Sequence, residues 1–421
     1  MLKNNISLKN ISLFFVLAPL AVWSFFSAVP ISGKIIISIA VLAEVFLLLT
    51  CDFNISIDKM SVIWFISFIY LIVFSRYFSV VWIAFLGVYG IMVLLISLLR
   101  TRLSTIDESV IPKMLIIFSV VSIFFVLLDM FAPKTMESIL KLLHAVNNEE
   151  ALTNSRRIYS GLAGSNNIAT FSVLICSTYF LFLHRKNNIV KWIMLFFCFL
   201  IVLLGEQRTN YVFFPLSFVL VYYLKSGSKE KVNIFLVCAF VIIFSFILIY
   251  AFREQLSSIS SFGRITKTIN NLIEGEDISN GRMKLYSRAI ELWKKSPVFG
   301  NGFLSFYHTN EGILRANTLS HAHCIILEML ADVGFVGTCV LMFPIIYSIV
   351  KNIKNVKLSG ESKYFPYFMG TLTFQIFFIL DSLLHVTYFQ PNILFIYFSV
   401  IVLFNICDFR FKKELEEKKN V

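Results

Sequence analysis

The sequence predicts an all-α, polytopic integral membrane protein, and three observations lead to this fold class. Of the 421 residues, 58% are hydrophobic and only 15% are charged, and the mean hydropathy is +0.80. Runs of roughly 17–25 apolar residues recur, each long enough to cross a hydrocarbon core of about 30 Å. The alternating pattern of an outer-membrane barrel does not dominate. Most of the protein surface is therefore expected to face lipid.

The apolar runs predict about twelve transmembrane helices, because each run matches the length that a helix needs to span a bilayer. The predicted spans lie near residues 11–30, 35–51, 60–75, 78–98, 112–132, 162–183, 189–205, 210–224, 232–251, 323–350, 364–381 and 391–408.

The distribution of basic residues predicts the orientation of these spans. With both termini in the cytoplasm, the cytoplasmic segments hold 21 of the 37 basic residues, whereas the short outer loops hold seven. Short loops rich in Lys and Arg stay on the cytoplasmic side. The net charge of +12 is therefore interpreted as a topology signal, and no nucleic-acid partner is expected.

One long hydrophilic loop divides the chain. We predict N-terminal transmembrane helices over 1–160, central helices over 161–251, a large outer loop over 252–322, C-terminal helices over 323–408 and a cytoplasmic tail over 409–421. Within the loop, residues 281–303 predict a helix that stops at Ser296-Pro297, since its apolar residues recur at helical spacing. Gly300 and Gly302 are expected to form a turn after it.

Motifs of nucleotide, dinucleotide or metallohydrolase chemistry are absent from the sequence, including the Walker loop, HExxH and GxSxG. Neither Cys/His metal spacing nor a metal-holding DxD pair occurs. No cofactor and no metal are therefore expected.

The candidate chemistry lies in basic residues of the outer side. Arg208 falls in the tight turn GEQRTN, where a guanidinium could bind phosphate oxygens with two hydrogen bonds. A salt bridge with Glu206 at the interface is the structural alternative.

Arg282 is the first residue of the predicted loop helix, and helix N-termini attract anions. A solvated loop arginine is its alternative. Weaker candidates for substrate binding are Arg157, Arg288, Arg315 and His321.

The segment LSHAHCIILEMLADVGFVG (319–337) combines histidines with an apolar run. His323 lies at its outer end, where an imidazole can act as a general base, although a hydrogen-bonded interface histidine is the structural alternative. Glu328 and Asp332, four residues apart, would share a stripe on the opposite face. At about 100° per residue, one face of a continuous helix would carry His323, Leu327, Leu330 and Gly334.

Four motifs together resemble the O-antigen ligase/polymerase superfamily, bacterial membrane glycosyltransferases. His323, Gly334 and Gly337 resemble its His-x10-Gly signature. The segment 159–170, preceded by Arg157, is similar to a second family motif. GEQRTNYVFFPL (205–216) is similar to a third, and 280–303 to a GR…W…PxxGxG loop. The resemblance covers about residues 155–345.

The resemblance implies a mechanism and a GT-C-like fold. His323 would accept the proton of an acceptor hydroxyl, while Arg208 and Arg282 would hold the diphosphate of the donor. Transfer would invert the anomeric carbon without a metal. The two acids would then pack helices, and Gly334 and Gly337 would allow close helix packing. Cys324 departs from the family, which prefers Asn or Ser there, so His321 stays open as the base or as an orienting residue.

The resemblance leaves two functions, and a third is considered from another class. A polymerase of surface-polysaccharide repeat units is slightly favoured over a ligase that transfers glycan to lipid A–core. A lipid-linked glycan transporter is the alternative from another class, but it would be expected to show repeat-related halves. The implied partners are undecaprenyl-diphosphate-linked oligosaccharide, an acceptor glycan or glycolipid, the bilayer and other polysaccharide-assembly membrane proteins. The implied location is the bacterial inner membrane, with the active site facing the periplasm.

Overall fold

The computed structural model describes residues 8–29, 35–36, 39–44, 58–77, 79–102, 107–143, 160–184, 189–204, 208–252, 282–310 and 321–419. Within them the protein is helical, and the one β-bridge joins Ser75 and Phe303. The helices are α1 (Leu8–Phe25), α2 (Lys59–Val73), α3 (Val80–Arg102), α4 (Val110–Phe131), α5 (Pro133–Leu142), α6 (Asn166–Thr178), α7 (Ile189–Leu204), α8 (Arg208–Lys225), α9 (Ser228–Ala251), α10 (Arg282–Lys295), α11 (Ser305–Asn310), α12 (Ile325–Leu358), α13 (Phe365–Ser382) and α14 (Pro391–Lys419).

Each predicted span except the second coincides with a helix, and only 35–36 and 39–44 of the second span are described. The helices α5, α10 and α11 lie outside the predicted spans. Three described helices, α4, α12 and α14, are long and apolar enough to cross a membrane. The 15 residues of α2, by contrast, rise by about 22 Å, less than a typical hydrocarbon core. The all-α class is thus confirmed, whereas the number of twelve spans stays a prediction.

The core is built around α14. Its residues from Ile393 to Phe404 are buried on all sides, and it packs against α1, α3 and α13. Aromatic rings fill this centre, where Trp64 and Tyr89 pack edge-on against Phe398. The predicted tail does not form a separate segment, because α14 continues without a break to Lys419.

The bundle has two ends, which we call the loop end (with residues 282–310 and 321–324) and the tail end (with residues 408–419). Contacts between distant segments fix the loop end. The Ala28 N–H donates to the Leu162 carbonyl at 3.1 Å, and the Phe303 N–H donates to the Phe74 carbonyl at 3.2 Å. Neighbouring helix termini therefore meet there, as expected for spans that alternate in direction.

The α12 segment differs from the continuous helix that the sequence predicted. The helix begins at Ile325 with Cys324 as its N-cap, so His323 precedes it. Gly334 then interrupts it with φ 67° and ψ −172°. The prediction that His323 and Gly334 share one helical face is therefore wrong, because the periodicity assumed an unbroken helix. The prediction of a shared, buried stripe for Glu328 and Asp332 is confirmed.

Candidate functional site

The outer part of the site is formed by α10 and the loop that follows it. The apolar face of α10 is buried at Leu285, Ala289 and Leu292, and it packs in one cluster with Ala322 and Ala331. The predicted helix thus exists and ends at Lys295, just before Ser296-Pro297. This packing places the first turn of α10 beside the residues that lead into α12.

The break at Gly334 receives the loop after α10. The N–H groups of Phe335 and Val336 donate to the carbonyls of Pro297 and Val298, at 2.9 and 3.0 Å. In the opposite direction, the Gly302 N–H donates to the Asp332 carbonyl at 2.7 Å. The backbone groups released by the break are therefore paired, as non-helical backbone at membrane depth requires.

Glycine is required on both sides of this contact. A Cβ at Gly334 would lie 2.5 Å from the Gly300 nitrogen, and a Cβ at Gly300 would lie 2.3 Å from the Asp332 carbonyl oxygen. Gly300 has φ 73° and Gly302 has φ 108°, which favour glycine. The expected turn is present at Gly300 and Gly302. The expectation of close helix packing fits Gly337, beside Tyr70 of α2, whereas Gly334 packs against a loop.

Asp332 holds the start of α11. Its carboxylate accepts from the Leu304 N–H at 2.9 Å, the Ser305 hydroxyl at 2.9 Å and the Phe306 N–H at 2.7 Å. Leu304 has φ 65°, a conformation that costs a non-glycine residue about 1–2 kcal/mol. Asp332 therefore fixes a strained loop. The sequence had suggested that this acid packs against a transmembrane helix, and that expectation is wrong.

Glu328 holds residues 321–323, which we call the histidine segment, in the same way. One carboxylate oxygen lies 2.5 Å from His321 Nδ1, and the other accepts from the Ala322 N–H at 2.7 Å. The next residue, His323, has φ 55°. The buried Glu328 therefore fixes the two residues before His323, and the helix-packing role expected for this acid is wrong.

The histidine contacts define a tautomer for His321. An ionised carboxylate can only accept a hydrogen bond, so Nδ1–H donates to Glu328 and Nε2 is left as an acceptor. The His321 ring also packs against Tyr307 and stacks on Phe389, with ring centroids 4.9 and 5.7 Å apart. The side chain is 14% exposed. His321 is thus a rigidly oriented imidazole next to His323, which is half-buried.

Arg282 reaches this segment through a tyrosine. Its side chain is hydrogen-bonded to Tyr286, one turn further along α10, and Tyr286 lies within electrostatic range of Cys324. Burial raises the pKa of Tyr286, and the nearby Cys324 acts in the same direction, whereas Arg282 opposes the rise. Because arginine can only donate, the Tyr286 oxygen accepts and its O–H can donate elsewhere. The structure thus places Tyr286, the partner of Arg282, near the residue that follows His323.

Arg208 is the first residue of α8, and its neighbours anchor that helix start. The Thr209 hydroxyl lies 3.2 Å from His385 Nε2, at the end of α13. The Asn210 amide donates to the Thr170 hydroxyl of α6 at 2.7 Å. The start of α8 is therefore held at the loop end, where the histidine segment also lies.

The weaker arginine candidates for substrate binding are not brought to the histidine segment by any described contact. Arg288 pairs with Glu291 on the exposed face of α10, at 3.2 Å. Arg157 and Arg315 lie outside the described residues, as does Glu206, the alternative partner of Arg208. Among the described residues, no group of three or more His, Cys, Asp or Glu side chains could hold a metal ion.

Several site residues were missed in the sequence. Glu328 was read as a packing residue, and Tyr286, His385 and Asp381 were not singled out. The spacing of Asp381 and His385 could have indicated this pair, since side chains four residues apart are neighbours on a helix. Arg76 was counted only as an outer-loop cation, but its side-chain stem lies over Gly302.

The arrangement can support acid–base chemistry on a polar group at the loop end. It combines an oriented imidazole, a second histidine in a left-handed conformation and an arginine on the adjoining helix. Left-handed non-glycine residues concentrate at functional sites, where the surrounding structure enforces them. Proton transfer by a positioned histidine contributes about 10²–10⁴-fold to a reaction rate.

Comparison with known proteins identifies the family of this region. Residues 193–342 match the family model described as O-antigen ligase. The match contains Arg208, Arg282, the histidine segment and Gly334, but the 159–170 motif lies outside it. No curated protein matches the chain. This match supports the resemblance of residues 193–342 to the O-antigen ligase/polymerase superfamily.

Proposed function

We propose that the chain is a glycosyltransferase that transfers a glycan from a lipid diphosphate at the outer leaflet of the bacterial inner membrane. The loop end faces the periplasm in this proposal, and both termini are cytoplasmic. The observation that carries it is the docking of the 297–302 loop on the break at Gly334. This contact holds α10, with Arg282, against the histidine segment within the family-matched region.

The proposed reaction is an inverting displacement. His323 accepts the proton of the acceptor hydroxyl, and the hydroxyl oxygen attacks the anomeric carbon of the donor. The bond between that carbon and the diphosphate oxygen breaks, and its electron pair leaves with undecaprenyl diphosphate. Arg208 and Arg282 stabilise the departing negative charge, so no metal is required. Arg157, Arg288 and Arg315 are proposed as weaker substrate contacts.

Glu328 supports His323 as the base by holding residues 321 and 322. His321 is the second candidate base, because its Nδ1 contact with Glu328 orients the ring as in a histidine–carboxylate pair. His321→Asn separates the two. The asparagine amide can still donate to Glu328, but it cannot accept a proton. We expect His321→Asn to retain most activity and His323→Asn to lose it. The reverse result would assign the base to His321.

The functional test is glycan analysis of a deletion strain that carries each variant on a plasmid. We propose a polymerase of surface-polysaccharide repeat units, for which the deletion leaves single-repeat product. Polymer that accumulates on undecaprenyl diphosphate would instead assign a ligase, the name of the matching family model. An unchanged glycan profile in the deletion strain would overturn the proposed function.

A further inference from the structure

A second histidine–carboxylate pair lies at the loop end, outside the proposed catalytic residues. His385 Nδ1 is 2.6 Å from Asp381 Oδ1 at the end of α13. The Asp381 side chain is 2% exposed and that of His385 is 12% exposed. The other oxygen of Asp381 accepts from the Thr387 hydroxyl. The pair is thus as enclosed as His321 and Glu328.

Its second contact leads to α8. His385 Nε2 is 3.2 Å from the Thr209 hydroxyl, which directly follows Arg208. Since Asp381 accepts from Nδ1–H, the neutral ring presents Nε2 as an acceptor, and the Thr209 O–H donates to it. Both ring nitrogens are therefore used to join the end of α13 to the first turn of α8.

Its third contact leads to the histidine segment. Asp381 fixes the short 3₁₀ turn Thr387–Phe389 through Thr387. Phe389 in that turn stacks on His321, with ring centroids 5.7 Å apart. A continuous path of contacts therefore runs from Thr209 through Asp381 and Phe389 to Glu328. One buried carboxylate connects the start of α8 with the proposed acid–base residues.

We propose that His385 is a positioning residue for the donor diphosphate. Through Thr209 it fixes the start of α8, and with it the position of Arg208, while Asp381 fixes the ring and its tautomer. The inference rests on the proposed function and extends it to a residue outside the family-matched region, which ends at 342. The ligand class is a prenyl diphosphate, and the role is placement of its phosphates and not proton transfer.

The test uses the purified full-length chain in lipid nanodiscs, with undecaprenyl diphosphate as the binding probe and the lipid-linked glycan as substrate. We expect His385→Ala to raise the Kd for the probe and the KM for the donor at least tenfold, with kcat within threefold. Asp381→Asn should do the same, since asparagine has one accepting oxygen where Asp381 uses two, and an amide NH2 facing Nδ1 favours the wrong tautomer. His385→Gln should restore most of the affinity, because its amide can still bind Thr209.

Two further variants keep the proposal testable if His385→Ala does not fold. Thr209→Ser retains the hydroxyl and should bind normally, whereas Thr209→Val should weaken binding like His385→Ala. His184→Ala, a histidine after α6 at the tail end, is the matched control and should leave Kd and KM unchanged. The double variant His385→Ala/Thr209→Val should bind the probe no more weakly than either single variant, because both substitutions remove the same contact between His385 and Thr209.

The outcomes separate the inference from the function on which it rests. A wild-type chain that neither binds undecaprenyl diphosphate nor transfers glycan overturns the proposed function. A wild-type chain that binds the probe, together with His385 variants of unchanged Kd and KM, overturns only the positioning role. A loss of kcat at unchanged Kd also overturns it, because His385 would then act on the reacting atoms.

Discussion

Buried carboxylates occur at both ends of the helical bundle, but they bind different groups. At the loop end, Glu328 binds His321 and a backbone N–H, and Asp381 binds His385 and a hydroxyl. At the tail end, the buried Asp408 binds Lys351 at 2.9 Å and Lys412 at 3.0 Å, and the half-buried Glu108 binds Arg410. The loop end pairs Glu328 and Asp381 with histidines, which can change their protonation, whereas Asp332 binds only backbone N–H groups and a hydroxyl. The tail end pairs its acids with permanent cations.

This difference indicates a division of roles. A lysine or arginine beside a carboxylate gives a stable ion pair that fixes helix ends, whereas a histidine beside a carboxylate gives an oriented ring that can accept a proton. Substitutions in the two histidine–carboxylate pairs of the loop end should therefore alter transfer more than folding. Substitutions at the tail end should alter folding and leave transfer unchanged.

The largest effect on transfer is expected for His323→Ala. Loss of the proposed base should reduce glycan transfer by about 10²–10⁴-fold, with normal amounts of protein in the membrane. The measurement is the chain-length ladder of the surface glycan, with His184→Ala as the tail-end control. Normal ladders in the His323 variant would remove this histidine from the mechanism.

Arg208→Lys should produce the next largest loss, about 10–100-fold, because lysine keeps the charge but loses two-point contact with phosphate. The same change at Arg410 of the tail end should leave transfer within twofold. The measurement is KM and kcat with the lipid-linked donor. Full activity of Arg208→Lys would make Arg208 a structural residue.

Gly334→Ala tests the break that holds the loop on α12. The required φ is nearly exclusive to glycine, and the added Cβ meets the backbone of residues 298–300, so we expect a loss of stability of about 3 kcal/mol or more. Gly360→Ala is the control, since nothing lies within 4 Å of its Cβ position. Thermal unfolding in detergent measures both. Equal melting temperatures would contradict the described docking.

Glu328→Gln should lower kcat about tenfold, since glutamine has one accepting oxygen where Glu328 uses two, so that residues 321 and 322 position His323 less firmly. Asp332→Asn, four residues further on, should instead mainly lower stability, by about 1–3 kcal/mol, because it weakens the hydrogen bonds of the α11 start. Comparing kcat with the melting temperature separates the two acids. If both variants lost only stability, Glu328 would have no role beyond folding.

Asp408→Asn at the tail end should have the smallest functional effect. It leaves Lys351, 14% exposed, with a weaker partner, and should cost about 1–2 kcal/mol of stability. The KM and kcat for the donor should stay at wild-type values. A loss of transfer in a correctly folded variant would break the proposed division between the two ends.

The sequence predicted more of the fold than of the site. Apolar run length located α1 to α4, α6 to α9 and α12 to α14, because the bilayer imposes the length of any spanning helix. It also located α10, whose buried face follows helical spacing, and the glycine turn at residues 300–302. The predicted position of His323 relative to Gly334 was wrong. Sequence periodicity does not reveal that a helix is interrupted and that a distant loop pairs with its backbone at the break.

By itself, the sequence determined the all-α membrane class, the helical segments and the family motifs, since composition, apolar period and residue spacing are local properties. Only the tertiary structure decided what the buried acids bind. Glu328 and Asp332 look alike on a helical projection, but one holds His321 and the other holds the start of α11. Asp381 and His385 acquire significance only through Thr209 and Phe389. The partner of a buried charge is set by long-range packing, and a linear pattern does not contain it.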